Sequence, residues 1–130
     1  VNHSLVEISR SGYDVVGIDH TVEPAWARQC LAQAQSSNRK FSEVEVNKGA
    51  QHRIAIQGNL DPAILYARPE VIQDRVRRMF QTKTGGFGGQ GALICNLGQG
   101  ITPGVDPDHL RVFLEAVHSV SKEMADNNDD

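Results

Sequence analysis

The sequence predicts an α/β fold in which helices cover both faces of a parallel sheet. Short apolar segments alternate with longer segments whose apolar residues recur at helical spacing. The apolar segments are too continuous for strands with one exposed face, which is typical of parallel sheets. Prolines after polar residues mark the starts of the intervening helices. This alternation indicates consecutive βα units.

The predicted strands follow a helical segment at residues 2–10. The first strand is expected at 13–19 (YDVVGID), the second at 53–57 (RIAIQ) and the third at 92–96 (ALICN). Each is rich in β-branched or aliphatic residues and is followed by polar or glycine residues. The three segments therefore read as buried strands that end in loops.

Three further helices have distinct start signals. Thr21 is expected to cap a helix near Pro24, Pro69 opens the next one, and Asp106 precedes Pro107 at the start of the last. Their predicted apolar stripes are Trp26, Cys30 and Leu31; Val71, Ile72, Val76, Met79 and Phe80; and Leu110, Phe113, Leu114, Val117, Val120 and Met124.

Three segments fall outside this pattern. Residues 33–52 are polar and long for a helix–strand connection, and we interpret them as a surface insertion. Residues 84–91 (TGGFGGQG) are interpreted as a flexible loop, and residues 126–130 (DNNDD) as a disordered acidic tail. Residues 1–125 then form the folded part.

Composition narrows the function classes. The chain has 130 residues, 39% hydrophobic and 22% charged residues and a net charge of −3, as expected for a globular protein. This charge argues against a nucleic-acid partner, and no apolar run approaches the roughly 20 residues of a membrane helix. Two cysteines are too few for a disulfide scaffold, which favours a reducing compartment.

The candidate site lies where the three strands end. These ends read Asp19-His20-Thr21, residues 57–62 (QGNLDP) and residues 96–101 (NLGQGI). Ligands of parallel α/β folds bind at the carboxyl ends of strands, and glycine there permits close approach of the backbone. The alternative is that Asp61-Pro62 and residues 98–100 only form turns.

Other candidates are weaker. Cys30 and Cys95 lie on a helix stripe and within a strand, so we interpret both as core thiols. The glycine run lacks the Lys-Ser/Thr ending of a phosphate loop and precedes a strand instead of following one. The chain's histidines show no metal-like spacing; His109 and His118 are expected to pack or face solvent, and Arg75, Arg77 and Arg78 to form a solvated helix face.

Three blocks resemble one family. GYDVVGIDHTVEP, IQGNLDPAILYA and NLGQGITPGVDPDHL are similar, in order, to the carboxyl-terminal third of uroporphyrinogen decarboxylase. The resemblance implies the last three βα units of a (β/α)8 barrel, which are incomplete on their own. It also implies a cytosolic homodimer, without metal or organic cofactor, that converts uroporphyrinogen III to coproporphyrinogen III by removing four acetate carboxyl groups.

The resemblance points to Gln99 as a substrate-binding residue. It stands where the family's NLGHG block has a histidine, and no catalytic residue of the family maps with certainty onto the chain. Glutamine donates a neutral hydrogen bond but carries neither charge nor a mobile proton, so weakened activity is expected. Two further departures are His20, where the family usually has tryptophan, and the insertion at 33–52.

Several alternatives stay open. The chain is equally compatible with a divergent or inactive copy, a misread gene model, or a partner subunit without catalysis of its own. A related cobalamin- or coenzyme-M-linked methyltransferase would need zinc ligands, and no cysteine follows the third strand. Because the chain begins with Val1 inside a predicted helix, we expect it to be a piece of a longer protein that is inactive alone. A transit peptide upstream would place that protein in a plastid.

Overall fold

Three parallel strands form the centre of the molecule. A computed structural model describes residues 4–37, 54–81 and 93–128. The strands are β1 (Val15–Gly17), β2 (Ala55–Leu60) and β3 (Leu93–Leu97), and β2 lies between the other two. Val16 pairs with Ile56, and Ile56 pairs with Leu93, both in parallel register. The predicted α/β class with parallel strands is confirmed.

The helices connect these strands in the predicted order. They are α1 (Leu5–Ser9), α2 (Pro24–Ser37), α3 (Pro69–Phe80), α4 (Pro107–Asn128) and a short 3₁₀ helix at Pro62–Tyr66. Each of the three long helices begins at the proline that marked its start, because the fixed φ of proline suits the first helical position. The 3₁₀ helix was not predicted.

Two predicted boundaries require correction. Helix α2 runs to Ser37 and thus includes the first five residues of the 33–52 insertion. Helix α4 runs to Asn128, three residues into the predicted tail at 126–130. Neither stretch contains a glycine or proline that would stop the helix. Residues 38–52, the glycine run at 84–91 and residues 129–130 lie outside the described part.

The hydrophobic core lies between the sheet and the helices. Leu5, Ile56, Leu65, Ile72 and Val76 are the largest fully buried side chains of the described residues. Helix α1 packs against α2 and α3 against α4, while α3 also contacts β2. Burial of Ile72, Val76 and Met79 confirms the stripe predicted for α3.

The edge strands expose apolar residues. Val16 is buried, but Val15 is 38% exposed, and Ile94 on β3 is 46% exposed. Gly17, Gln57 and Ile94 occupy one row of the sheet and therefore share a face. The expectation that both faces are covered is thus wrong for the edge strands of the described structure, although β2 is buried along most of its length.

Some predicted stripe residues are also misplaced. Trp26 is 44% exposed and Leu114 is 49% exposed, because their sides of α2 and α4 turn away from the described core. Cys30 and Cys95 are half-buried and pack against the core, in agreement with their interpretation as core thiols.

Candidate functional site

A pocket of about 440 Å³ lies at the carboxyl ends of the strands. His20 follows β1, Asp61 and Tyr66 follow β2, and Gln99 and Thr102 follow β3. The structure therefore brings residues from all three predicted strand ends to one place. Each lies in a loop or on the 3₁₀ helix, where side chains are free to face a ligand while the sheet fixes their backbone.

The end of β1 is shaped by Asp19. Its carboxylate accepts hydrogen bonds from the hydroxyl of Thr21 and from the backbone N–H of the same residue, the latter at 2.8 Å. These bonds favour the ionised form, so the pKa of Asp19 lies below its ordinary value. The Asp19 carboxylate therefore forms two hydrogen bonds within the loop that carries His20.

A buried amide ties β2 to that loop. The side chain of Asn59 is 7% exposed, and its Nδ2 donates to the carbonyl oxygens of Asp19 at 2.9 Å and Val22 at 2.7 Å. Residues 57–62 are predicted to form a polar strand end, but β2 continues through Leu60. Asn59 was missed as a positioning residue; its signal was a polar residue within a buried strand, which needs hydrogen-bond partners.

Two glycines let the strand ends approach one another. Gly58 has φ of +141°, and a Cβ there would lie 2.7 Å from the carbonyl oxygen of Ile18. A Cβ on Gly98 would overlap the backbone of His20. The N–H of Gly98 also donates to the carbonyl of Leu60 at 2.8 Å. These glycines thus allow one strand end to approach the backbone of another, and close approach to a ligand stays a prediction.

The opposite wall of the pocket is braced by turns. The carboxylate of Asp61 accepts the N–H of Ala63 at 2.9 Å and caps the 3₁₀ helix. The hydroxyls of Tyr66 and Thr102 are hydrogen bonded at 2.5 Å, which joins that helix to the loop after β3. Asp61 therefore lies in a turn, and the same turn forms part of the pocket wall, so the structure does not decide between the two interpretations of this residue.

Helix α4 is anchored to the same wall. Nδ1 of His109 lies 2.7 Å from the carbonyl oxygen of Leu65, within hydrogen-bond distance. His118 is exposed on α4. Both outcomes agree with the packing and solvated roles predicted for these histidines, and the three arginines of α3 are exposed as well.

His20 has an unusual environment at the pocket. The residue is half-buried, and its Nδ1 is a buried atom without a hydrogen-bond partner among the described residues. Buried polar atoms are paired in the great majority of cases, so an unpaired one requires an explanation. Gln99, in contrast, is exposed at the pocket rim.

The three motif blocks that supply this pocket lie within one family match. The family model described as uroporphyrinogen decarboxylase (URO-D) matches residues 1–120. The chain belongs to the uroporphyrinogen decarboxylase family. The resemblance of the three blocks is thereby confirmed along nearly the whole chain.

Individual relatives agree with this assignment. The uroporphyrinogen decarboxylase of Vesicomyosocius okutanii is 43% identical over 119 residues, and that of Schizosaccharomyces pombe is 40% identical over 116. The human uroporphyrinogen decarboxylase is 36% identical over 124 residues. The matches cover 92%, 89% and 95% of this chain but only 28%, 26% and 27% of the relatives. The chain thus spans about a quarter of the family's length.

Other features of the site region are less reactive. Burial raises the pKa of the Cys95 thiol to about 11, so it is protonated at neutral pH.

Among the described residues, no group of three or more His, Cys, Asp or Glu side chains is arranged to hold a metal ion. No helix in the described ranges is long and apolar enough to cross a membrane.

Proposed function

We propose that the chain is part of a uroporphyrinogen decarboxylase that converts uroporphyrinogen III to coproporphyrinogen III. The observation that carries the proposal is the pocket at the strand ends, which all three family blocks line. Its lining offers amide, hydroxyl and imidazole groups that suit a substrate bearing many carboxylates. No metal or organic cofactor enters the proposal.

We also propose that the sheet is the last three strands of a (β/α)8 barrel. The exposed apolar residues Val15 and Ile94 on the edge strands support this, since neighbouring strands and an enclosed barrel interior would cover them. The small share of each relative that the chain spans also supports it. On this proposal the first five units come from a longer polypeptide.

The chemistry explains what the pocket would contribute. Loss of CO₂ from a pyrrole acetate leaves the electrons of the broken C–C bond on the side chain and ring. Prior protonation of the pyrrole makes the ring an electron sink. Protonation of the side-chain carbon then yields a methyl group, and the ring releases the proton that it first took up. The described pocket would hold carboxylates of the substrate, with the Gln99 amide donating one neutral hydrogen bond.

Three further features belong to the same proposal. The complete protein acts in the cytoplasm and assembles as a homodimer, as the family resemblance implies. A plastid location would require a transit peptide upstream of these residues. The surface insertion expected at 33–52 is part of the same proposal, and the proposed partners include neither a nucleic acid nor a membrane.

A chimaeric protein tests the activity. These 130 residues would replace the matching segment of the Vesicomyosocius okutanii relative, which supplies the remaining part of its own decarboxylase. We expect the folded chimaera to form coproporphyrinogen from uroporphyrinogen under anaerobic conditions, measured by chromatography of the oxidised porphyrins. The intact relative is the positive control. A chimaera with a native circular dichroism spectrum but no product would overturn the proposal.

A second candidate is a family member without catalysis, favoured by the neutral Gln99. The variant Gln99→His in the chimaera distinguishes the two functions. We expect kcat/KM to rise roughly tenfold, since a charge-assisted hydrogen bond contributes about 1 to 2 kcal/mol more than a neutral one. Absence of product from both the parent and the variant would instead favour the non-catalytic function.

A further inference from the structure

We propose that His20 binds a carboxylate of the substrate and supplies the positive charge that Gln99 cannot. The inference rests on the proposed function, since it concerns the substrate of that same pocket. The inference goes beyond the proposed function because it assigns the charged contact to the end of β1 and not to the end of β3.

The pocket lining contains few charged side chains. Among the described residues around the pocket, His20 is the only one whose side chain can become positively charged. Asp61 is anionic when ionised, and Tyr66, Gln99 and Thr102 bear neutral polar groups. A substrate with many carboxylates needs positive charge or hydrogen-bond donors in the wall that it contacts. His20 is therefore the cationic contact that the described part of this wall offers.

The imidazole of His20 has a ring nitrogen without a structural hydrogen bond. Nδ1 of His20 is buried without a partner among the described residues, so the ring is not committed to a structural hydrogen bond there. The neighbouring carboxylates accept hydrogen bonds within their own turns, Asp19 from Thr21 and Asp61 from Ala63.

The ends of β1 and β3 lie close together. The absence of a side chain at Gly98 allows β3 to end directly against the backbone of His20. Gln99 is the next residue along the chain, and both side chains line the same pocket. An imidazole at position 20 and one at position 99 would therefore face one ligand from adjacent loops.

Substitutions at the two positions test this relationship in the chimaera. We expect His20→Gln to raise KM for uroporphyrinogen roughly tenfold with little change in kcat, since it removes a charge-assisted contact. After Gln99→His, the same substitution should raise KM by less than about threefold, because the second imidazole supplies the charge. His118→Gln, on an exposed histidine of α4, is the matched control and should leave KM unchanged.

The outcomes separate this inference from the proposed function. An active chimaera in which His20→Gln and His20→Asn both retain the parent KM would overturn the inference alone. The same increase in KM on His20→Gln with and without Gln99→His would also overturn the inference. A folded chimaera without any product would overturn the proposed function and this inference together. Circular dichroism of each variant identifies loss of folding, and the two substitutions at His20 provide independent tests.

Discussion

The buried side chain of Asn59 donates a 2.9 Å hydrogen bond to the main-chain carbonyl of Asp19. The same amide donates to the carbonyl of Val22, so one side chain on the central strand fixes the loop after β1. That loop carries His20 into the pocket. The position of a candidate binding residue is thus set by a polar residue of the neighbouring strand that does not itself line the pocket.

Replacing Asn59 should destabilise the fold. Asn59→Ala removes both bonds and leaves two carbonyl oxygens without that donor, so we expect the free energy of unfolding to fall by about 2 to 3 kcal/mol. Urea denaturation followed by circular dichroism measures the change. The control Asn127→Ala removes an exposed amide near the end of α4 and should change stability by less than about 0.5 kcal/mol. Equal effects of the two substitutions would contradict the role of Asn59.

A methyl group at Gly98 should separate the ends of β1 and β3. The Cβ of Gly98→Ala would overlap the backbone of His20, so one loop must move, at a cost of about 1 to 3 kcal/mol. Gly100→Ala is the matched control, because its Cβ would meet no atom within 4 Å. Thermal denaturation compares the two, and in the chimaera Gly98→Ala should also raise KM. A Gly98→Ala protein as stable as Gly100→Ala would show that this contact imposes no constraint.

The Cys95 thiol should react slowly in the folded protein. Burial raises its pKa from 9.0 to about 11, which lowers the thiolate fraction near pH 8 about 100-fold. We expect alkylation of Cys95 in a Cys30→Ser protein to be slower by about that factor than in urea, as measured by mass spectrometry. Because folding raises this pKa, the free energy of unfolding should fall as pH rises from 9.0 towards 11, where only the unfolded thiol ionises. Equal alkylation rates in the folded and unfolded states would contradict this environment.

Local signals in the sequence were sufficient for the element order and the helix starts. Pro24, Pro69 and Pro107 each begin a helix, because the conformational restriction of proline acts within one turn. The family blocks placed Gln99 and His20 at strand ends, and both line one pocket. These features depend on a few neighbouring residues.

Features that depend on distant partners were not predictable in the same way. Helical spacing placed Trp26 and Leu114 on apolar stripes, but spacing does not reveal whether another element covers that side of the helix. Strand β2 extends to Leu60 because it pairs with β3 there. The function of Asn59 likewise requires the loop after β1, forty residues earlier in the chain at Asp19.

The barrel proposal predicts that one substitution has different effects in two proteins. Ile94 is 46% exposed in this chain, so Ile94→Lys should change its stability by less than about 0.5 kcal/mol. In the chimaera a closed barrel would bury the same position, and an unpaired lysine there should destabilise by several kcal/mol, about 3 or more. Ala125→Lys, at an exposed position of α4, is the control in both proteins. Urea denaturation of the four variants gives the comparison, and a chimaera that tolerates Ile94→Lys as well as Ala125→Lys would contradict burial of this face in a barrel.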